Sequence, residues 1–383
     1  MKSKMTIITP VHISTGEEKR AFEYKQNCDQ INCYLPSDLF AQIPANVLLD
    51  RRFLSLLSNP SQNESVRDTL NQQIKDNVDY DRIEPIYQLE CHLDEIEGKN
   101  VSVQMKSLNN PIIPGSSIKG ALMTMILYDW SLKHLEELYR YSGNGKNFTV
   151  DTIMKNYYND SSFGDFIKLF RSCFMCQDVP FDDMIYMSVQ RNHVDISKDG
   201  NTPPLADVEC IKFNQSYTGN IVSINKDKAN RVFKRFEGKP FVNDFKAYLD
   251  TKKLISIGSK YFKDMISEEL DTEAKAEYYD SKGVYDVLNK LKDDRIKNGF
   301  YMRVGRHTNY FFKTISYAIK KNNPQFYIEH FNDYFSPKRK PEQAKKNAVY
   351  PVAEKMPSTR SLYYDGNDTY YPGVIKLEFV NED

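Results

Sequence analysis

The order of β-type and helical segments constrains the fold of this chain more than any other feature of its sequence. Residues 5–14, MTIITPVHIS, are rich in β-branched residues and predict a first strand that closes at Gly16. Helical patterns interrupt the β-type segments at about residues 37–78 and again at 226–296. Strands that return after inserted helices favour an α+β protein over a doubly wound parallel sheet. The further β-type segments lie at 22–25, 31–35, 86–93, 101–105 and from Phe300 to the end.

Charge is unevenly distributed along the 383 residues, although lysine plus arginine equals aspartate plus glutamate at 52 each. Residues 1–225 carry 22 basic and 29 acidic side chains, whereas residues 226–383 carry 30 basic and 23 acidic ones. We therefore predict an N-terminal domain over 1–225 and a basic C-terminal α+β domain over 226–383. A neutral chain with basic segments can track a polyanion with one face and dock a protein with another.

The sequence contains no apolar run near the roughly 20 residues needed to span a bilayer, and its N-terminus lacks the apolar core of a signal peptide. We therefore expect a cytoplasmic protein without membrane contact, whose six cysteines are reduced. Cys173 and Cys176 form a CxxC, but no second pair at metal-site spacing accompanies them. Two cysteines on an apolar strand are most often small core residues, and we expect neither a metal nor a cofactor.

The stretch PIIPGSSIKGALM, residues 111–123, predicts a turn followed by a buried helix. Ser116 or Ser117 can cap the helix, after which apolar residues recur at helical spacing. Such a helix start directs backbone N–H groups at whatever precedes it, and Lys119 adds a positive charge, so an anion is a suitable ligand. An ordinary capped helix with nothing bound explains the stretch equally well.

Basic and histidine residues mark three further places. Residues 185–225 predict a long two-stranded excursion, with Arg191 and His193 on its first strand. A second cluster, Arg303 to His307, follows Asn298-Gly299; glycine lets backbone approach a ligand, and arginine can fork to phosphate oxygens. A β-turn with two solvated arginines explains this cluster too. His12, at the end of the first strand, fits a phosphate contact or a catalytic role.

Several of these stretches together resemble a known family. The TPVHISTG strand at residues 9–16, followed much later by IPGSSIKGAL, strongly resembles the RAMP superfamily of CRISPR RNA-binding proteins. The remainder is similar to the RAMP subunit that caps one end of the type III-A (Csm) effector filament. The supporting stretches are Phe163-Gly164 with Asp178, Pro204-Leu205 with residues 208–219, Arg303-Val304-Gly305 with Lys313-Thr314, and residues 357–360 with Pro372-Gly373.

This resemblance implies an RRM-like (ferredoxin-like) RAMP fold, built as two such units with helical insertions and a thumb-like β-hairpin at 185–225. It implies binding to the 3′-proximal part of a CRISPR RNA, filament capping and a role in guide RNA maturation in antiviral defence. Partners would be a neighbouring RAMP backbone subunit, other Csm subunits and host trimming nucleases. The implied RNA contacts are His12, Gly115, Ser116, Ser117, Lys119, Arg191, His193, Arg303, Gly305, Arg306, His307 and Lys313.

Three functions remain open at the level of sequence. The first is a non-catalytic RNA-binding structural subunit, which agrees with the missing catalytic spacings and the basic second half. The second is a metal-independent endoribonuclease of the RAMP superfamily that cuts CRISPR RNA through His12, His193 or His307. The third, unrelated to RNA, is an enzyme that binds a phosphate ligand at the Pro114 loop.

Overall fold

The structure is a computed structural model and describes residues 2–58, 64–96, 100–136, 150–194, 206–328 and 359–380. The strands are β1 (Ser3–Ile7), β2 (Ser14–Lys19), β3 (Tyr24–Asn27), β4 (Gln30–Cys33), β5 (Tyr87–Glu90), β6 (Val101–Gln104), β7 (Lys106–Ser107), β8 (Asn110–Ile113), β9 (Phe174–Cys176), β10 (Val179–Pro180), β11 (Met184–His193), β12 (Asp207–Ile211), β13 (Ser216–Gly219), β14 (Val222–Ile224), β15 (Gly299–Arg303), β16 (Thr359–Tyr364), β17 (Thr369–Tyr370) and β18 (Val374–Phe379). The α-helices are α1 (Pro36–Gln42), α2 (Ala45–Leu48), α3 (Arg51–Ser58), α4 (Glu64–Asn77), α5 (Gly115–Lys133), α6 (Val150–Tyr158), α7 (Phe163–Arg171), α8 (Lys226–Arg235), α9 (Pro240–Lys246), α10 (Thr251–Glu269), α11 (Glu273–Ser281), α12 (Tyr285–Asp293) and α13 (Ser316–Asn322). The predicted α+β class is confirmed.

The first sheet has four antiparallel strands in the order β13-β1-β18-β15. Its central strand β1 pairs with β18 so that Met5 lies opposite Leu377. Helices α5 and α10 pack beside it, and one hydrophobic core joins Met5, Ile126 of α5 and Phe262 of α10. Strands from residues 1–225 and from 226–383 therefore share one sheet and one core, and the predicted domain boundary runs through both.

The second sheet has the order β2-β6-β12-β11-β5-β4-β3, with β16 on the outer part of β11 and β17 on β16. The first residues of β11, 184–187, pair with β12, and residues 188–193 pair with β16 near the end of the chain. The two strands of the predicted excursion pair with each other over residues 184–187, whereas the outer half of the first strand pairs with β16 and is part of the sheet. The predicted turn of the excursion, residues 195–205, lies outside the described residues.

Helices α1–α4 form the predicted insertion between strands and have a small core of their own. Leu39, Phe53 and Ile74 are buried there against Phe22 and Tyr34 of the β-hairpin region. The hairpin predicted at 22–25 and 31–35 is confirmed as β3 and β4. The amphipathic helices thus bury their apolar faces locally, which is why they read as an insertion in the sequence.

The predicted first strand, 5–14, is two strands in the structure. β1 ends at Ile7, and β2 begins at Ser14 and continues through Gly16 to Lys19. Pro10 between them has no N–H for a ladder and interrupts the strand. Gly16 does not close a strand; its φ of +89° accompanies a shift of register between Ser14 and Glu18 against β6.

Close packing of α10 on β15 depends on Gly258. A Cβ atom at this position would lie 2.5 Å from Cγ of Phe300, so Gly258→Ala should lower the free energy of unfolding by about 1–3 kcal/mol through overpacking. The matched control is Gly120→Ala on an exposed face of α5, where nothing lies within 4 Å and alanine should stabilise by about 0.5–1 kcal/mol. Denaturant unfolding measures both variants, and an unchanged or more stable Gly258→Ala protein would contradict this packing.

Candidate functional site

A cleft of about 350 Å³ opens where the two sheets meet. One wall comes from the end of β15 and the loop after it, and the other from β11 and β16. The cleft has four arginines and one carboxylate among its lining residues. The lining residues are Arg191, Glu269, Tyr279, Arg303, Arg306, His307, Thr308, Asn309, Tyr310, Thr359, Arg360, Ser361 and Tyr371.

The floor of the cleft is a buried cluster of ionised side chains. Nε of Arg360 donates a hydrogen bond to Oε2 of Glu269, and its Nη2 lies 3.3 Å from both carboxylate oxygens of Glu268. Nη1 of Arg303 lies 3.7 Å from Oε1 of Glu269. All four residues are buried. Because Arg303 belongs to β15 and Arg360 to β16, the end of α10 ties the two sheets together.

Two tyrosines and one asparagine donate further hydrogen bonds to the Glu269 carboxylate. Hydroxyl groups of Tyr279 and Tyr371 donate to it at 2.7 and 2.8 Å, and Nδ2 of Asn309 donates at 2.8 Å. Burial alone would raise the pKa of Glu269, but Arg360 and Arg303 outweigh it and lower that pKa to about 2. The carboxylate is therefore ionised at neutral pH and fully hydrogen-bonded.

A buried lysine extends the cluster away from the cleft. Nζ of Lys275 lies 2.7 Å from Oε1 of Glu268 and 2.7 Å from Oδ1 of Asp271, although the lysine is only 2% exposed. Lys320 approaches Glu268 at 3.6 Å. Buried charges of both signs are therefore paired, as burial without water requires.

The loop after β15 places the exposed cation of the cleft. Gly305 has φ +94°, and a Cβ atom there would lie 2.3 Å from the carbonyl oxygen of His12. The next N–H, of Arg306, donates to the same oxygen at 2.8 Å. Only glycine permits this approach. Arg306 is exposed, donates to Oγ of Ser102 at 3.2 Å and has no ion pair within the described part of the chain.

Two predicted histidines lie against each other beside this loop. His12 is 1% exposed; its Nδ1 lies 2.7 Å from the Glu209 carbonyl oxygen and its Nε2 3.2 Å from Oγ of Ser102. Nδ1 of His307 lies 3.1 Å from the Tyr363 hydroxyl, and the two imidazole rings are 6.2 Å apart. Burial and nearby arginine charge lower the pKa of His12 to about 4 and that of His307 to about 3. Both rings are neutral at pH 7.

Arg303 occupies a different environment from the one its sequence context suggested. It is 4% exposed, its Nε donates to the Pro372 carbonyl at 2.8 Å, and its guanidinium lies 3.7 Å from the centre of the Tyr371 ring. This geometry favours an internal ion pair over a forked phosphate contact, and it excludes the solvated β-turn arginine considered above. A buried arginine and a solvated one look the same in the sequence.

Three further predicted contacts, Arg191, Lys313 and His193, lie in or near this region. Arg191 is half-buried and lines the cleft, and Lys313 is exposed with no ion pair in the described ranges. His193 lies at the end of β11, where its backbone pairs with Thr359; its side chain is outside the description.

The start of α5 differs in detail from the predicted serine cap. Pro114 is the N-cap residue, and the first N–H, of Gly115, donates to Oδ1 of Asp178 at 2.8 Å. Neither Ser116 nor Ser117 caps the helix. Gly115 is required because a Cβ atom would lie 2.1 Å from the Cys176 carbonyl oxygen. A carboxylate of the chain itself thus occupies the anion position at this N-terminus.

The outer side of the same helix start stays accessible. Ser116 is exposed, and Ser117 and Lys119 are partly exposed, but none of residues 115–119 lines the cleft. The predicted RNA contacts at the start of α5 and those around Arg306 therefore lie in separate places in the structure. The Asp178 cap was visible only as part of the family pattern and not as a helix cap.

The cleft also contains residues that the sequence did not identify. Glu268 and Glu269 form the ion cluster at the floor of the cleft together with Arg360. None of these three residues was predicted as a site residue. One signal was present, since two adjacent glutamates end the helix shortly after the apolar pair Met265-Ile266. Arg360 stood in the C-terminal family pattern without an assigned role.

Metal and membrane features are absent from the described ranges. No three of their His, Cys, Asp or Glu residues could jointly hold a metal ion, and Cys173 of the CxxC is buried. None of the helices in those ranges is both long and apolar enough to cross a membrane.

Comparisons with known proteins identify the family. The sequence matches the family model of the RAMP superfamily over residues 4–341, and the chain belongs to that superfamily. No curated protein matches it. A chain in the cryo-EM structure of a Csm–crRNA–target RNA ternary complex of a type III-A CRISPR–Cas system is similar in fold, with TM-score 0.62, 16% identity and coverage of 99% of this chain and 100% of that one. Csm5 of T. onnurineus is similar with TM-score 0.56, 16% identity and coverage of 97% and 99%.

The ion cluster predicts a strong and pH-dependent effect of Glu269→Ala. Removing one partner of a buried ion pair should cost about 3–5 kcal/mol at neutral pH, because Arg303 would remain buried without its carboxylate and Arg360 would keep only Glu268. The stabilisation from ionised Glu269 is present above its ordinary pKa of 4.5 and is lost as pH falls towards about 2, so the two proteins should converge there.

Urea unfolding across that pH range is the measurement. The control is Asp81→Ala, which removes an exposed ion pair with Lys25 and should change stability by less than about 1 kcal/mol. A Glu269→Ala protein as stable as this control at neutral pH would contradict the role of the cluster.

Proposed function

We propose that this chain is an RNA-binding subunit of a type III-A CRISPR effector complex. In this proposal it contacts the 3′-proximal part of the CRISPR RNA, caps one end of the filament and aids guide RNA maturation in the cytoplasm. Its partners would be a neighbouring RAMP backbone subunit, other Csm subunits and trimming nucleases. Family membership and a fold shared over the full length with a chain of a Csm complex support this assignment.

The observation that carries RNA binding is the convergence of Arg191, Arg306 and His307 on one cleft. The carboxylates of the floor pair with Arg303 and Arg360, whereas Arg306 at the mouth has no carboxylate partner in the described ranges. An exposed guanidinium on a fixed loop is suited to phosphate oxygens. Such contacts would hold RNA in place without selecting its sequence.

We further propose that the two sheets correspond to two RRM-like units. The four-stranded sheet packs against α5 and α10, and the second sheet carries the helical insertion at its β3 and β4 end. A cleft between two such units is a common position for a binding site. The paired ion cluster at the floor would fix the angle between them.

The subunit is proposed to be non-catalytic. General acid–base catalysis at neutral pH is most efficient with a pKa near 7, and the pKa values of His12 and His307 lie at about 4 and 3. His12 is buried with both ring nitrogens in hydrogen bonds. These two histidines are therefore better placed to shape the loop than to exchange protons with RNA.

The first test of this proposal is RNA affinity. Arg306→Ala and Lys119→Ala should each weaken binding of a labelled repeat-derived RNA by about 3- to 10-fold at ~0.15 M salt and reduce the salt slope by about 0.7, as expected for one lost phosphate contact. The control is Lys290→Ala, which removes one exposed cation from α12. Gel shifts over a salt series measure the effect. Wild-type affinity in both variants would show that neither place binds RNA.

The second test is turnover by the same protein. RNA incubated with the wild-type protein should stay intact on a denaturing gel, with or without EDTA, because the pKa values of His12 and His307 lie far below neutral pH. Defined cleavage that persists in EDTA and disappears in His307→Ala, with binding retained, would replace the non-catalytic proposal with the endoribonuclease.

A further inference from the structure

A second cationic surface lies outside the cleft, on helix α8. Its exposed residues include Arg231, Lys234 and Arg235, and none of them lines the cleft. The opposite face of the helix is anchored, since Ala229 and Val232 are buried and Phe233 packs against Phe166 and Phe170 of α7. The positive charges are therefore held outward on a fixed helix and not on a mobile loop.

The three cations of α8 stand close enough on the helix to repel one another. Arg231 stands three residues before Lys234 and four before Arg235, so both neighbours share its side of the helix. None of the three forms an ion pair with any described residue, although Asp227 stands one turn before Arg231. Some other surface lysines are paired, such as Lys133 with Asp129 and Lys321 with Asp264, each at 2.7 Å. An external anion would relieve this repulsion.

We propose that this α8 surface, defined by Arg231, Lys234 and Arg235, binds the phosphate backbone of RNA that extends beyond the cleft. Residues one helical turn apart are separated by about 5–6 Å, which is comparable with the spacing of neighbouring phosphates along an RNA strand. The inference rests on the proposed function and adds a second contact to it. The α8 surface would add affinity and salt dependence but no sequence preference.

An acidic protein partner is the other ligand that such a surface could take. The core of a protein–protein interface is usually apolar and depleted of charged residues. None of the exposed large apolar side chains in the described ranges lies on α8. Contacts made by cations alone are typical of nucleic-acid backbone binding, which favours RNA.

The test uses the full-length chain and the variant Arg231→Gln/Lys234→Gln/Arg235→Gln. The matched control is Lys252→Gln/Lys260→Gln/Lys263→Gln, which removes three exposed cations of α10 and the same net charge. Binding is measured over a salt series with two single-stranded RNAs, one of about 6 nucleotides and one several times longer. Thermal unfolding should show that the α8 variant is at least as stable as the wild type, because repulsion has been removed.

The α8 variant should bind the long RNA more than about 10-fold more weakly at ~0.15 M salt, with a salt slope reduced by about 2, and should bind the short RNA like the wild type. Equal long-RNA affinity in the α8 and α10 variants would overturn the inference. An α8 variant that keeps RNA affinity but no longer co-purifies with the effector complex would also overturn it, in favour of an acidic protein partner.

The proposed function fails separately from this inference. If Arg306→Ala binds both RNAs like the wild type while the α8 variant loses the long one, the cleft assignment is wrong and the α8 surface stands. If the wild-type protein binds neither RNA, both proposals are overturned.

Discussion

The paired charges at the end of α10 are the interaction on which the rest of the site depends. Glu268 and Glu269 hold one arginine from each sheet, Arg303 from β15 and Arg360 from β16. These groups are buried, so each charge must remain with its partners, and the carboxylates fix the position of both strands. The cleft is the space left between the sheets above this junction.

The same junction explains how a neutral chain can present a positive site. Within the cleft, arginines of the floor are balanced by glutamates, and the exposed positive charge comes from the rim, where Gly305 lets the loop touch the His12 backbone and carries Arg306 outward. The neutral imidazoles of His12 and His307 fill the space behind this loop without adding charge. Two arginines that are close in sequence therefore have different roles: Arg303 stabilises the junction, and Arg306 is the proposed ligand contact.

The sequence predicted the fold class, the helical insertion and most strands, because period-2 and period-3.6 patterns report which faces are buried. It brought together Arg191, Arg306 and His307 only through family resemblance, since strands β11 and β15 are more than a hundred residues apart. It could not separate Arg303 from Arg306, because burial depends on Tyr371 and Glu269, which are distant in the chain. The Asp178 cap and the pairing of β11 with β16 are likewise long-range contacts.

The most direct measurement is RNA–protein cross-linking in the assembled complex, with a photoreactive CRISPR RNA and identification of the cross-linked peptides by mass spectrometry. If RNA occupies the cleft between the sheets, cross-links should fall in the peptides that contain Arg191 and the Arg306–His307 loop. Cross-links confined to the helical insertion α1–α4, with none at the cleft, would contradict the central claim that the junction of the two sheets is the RNA site.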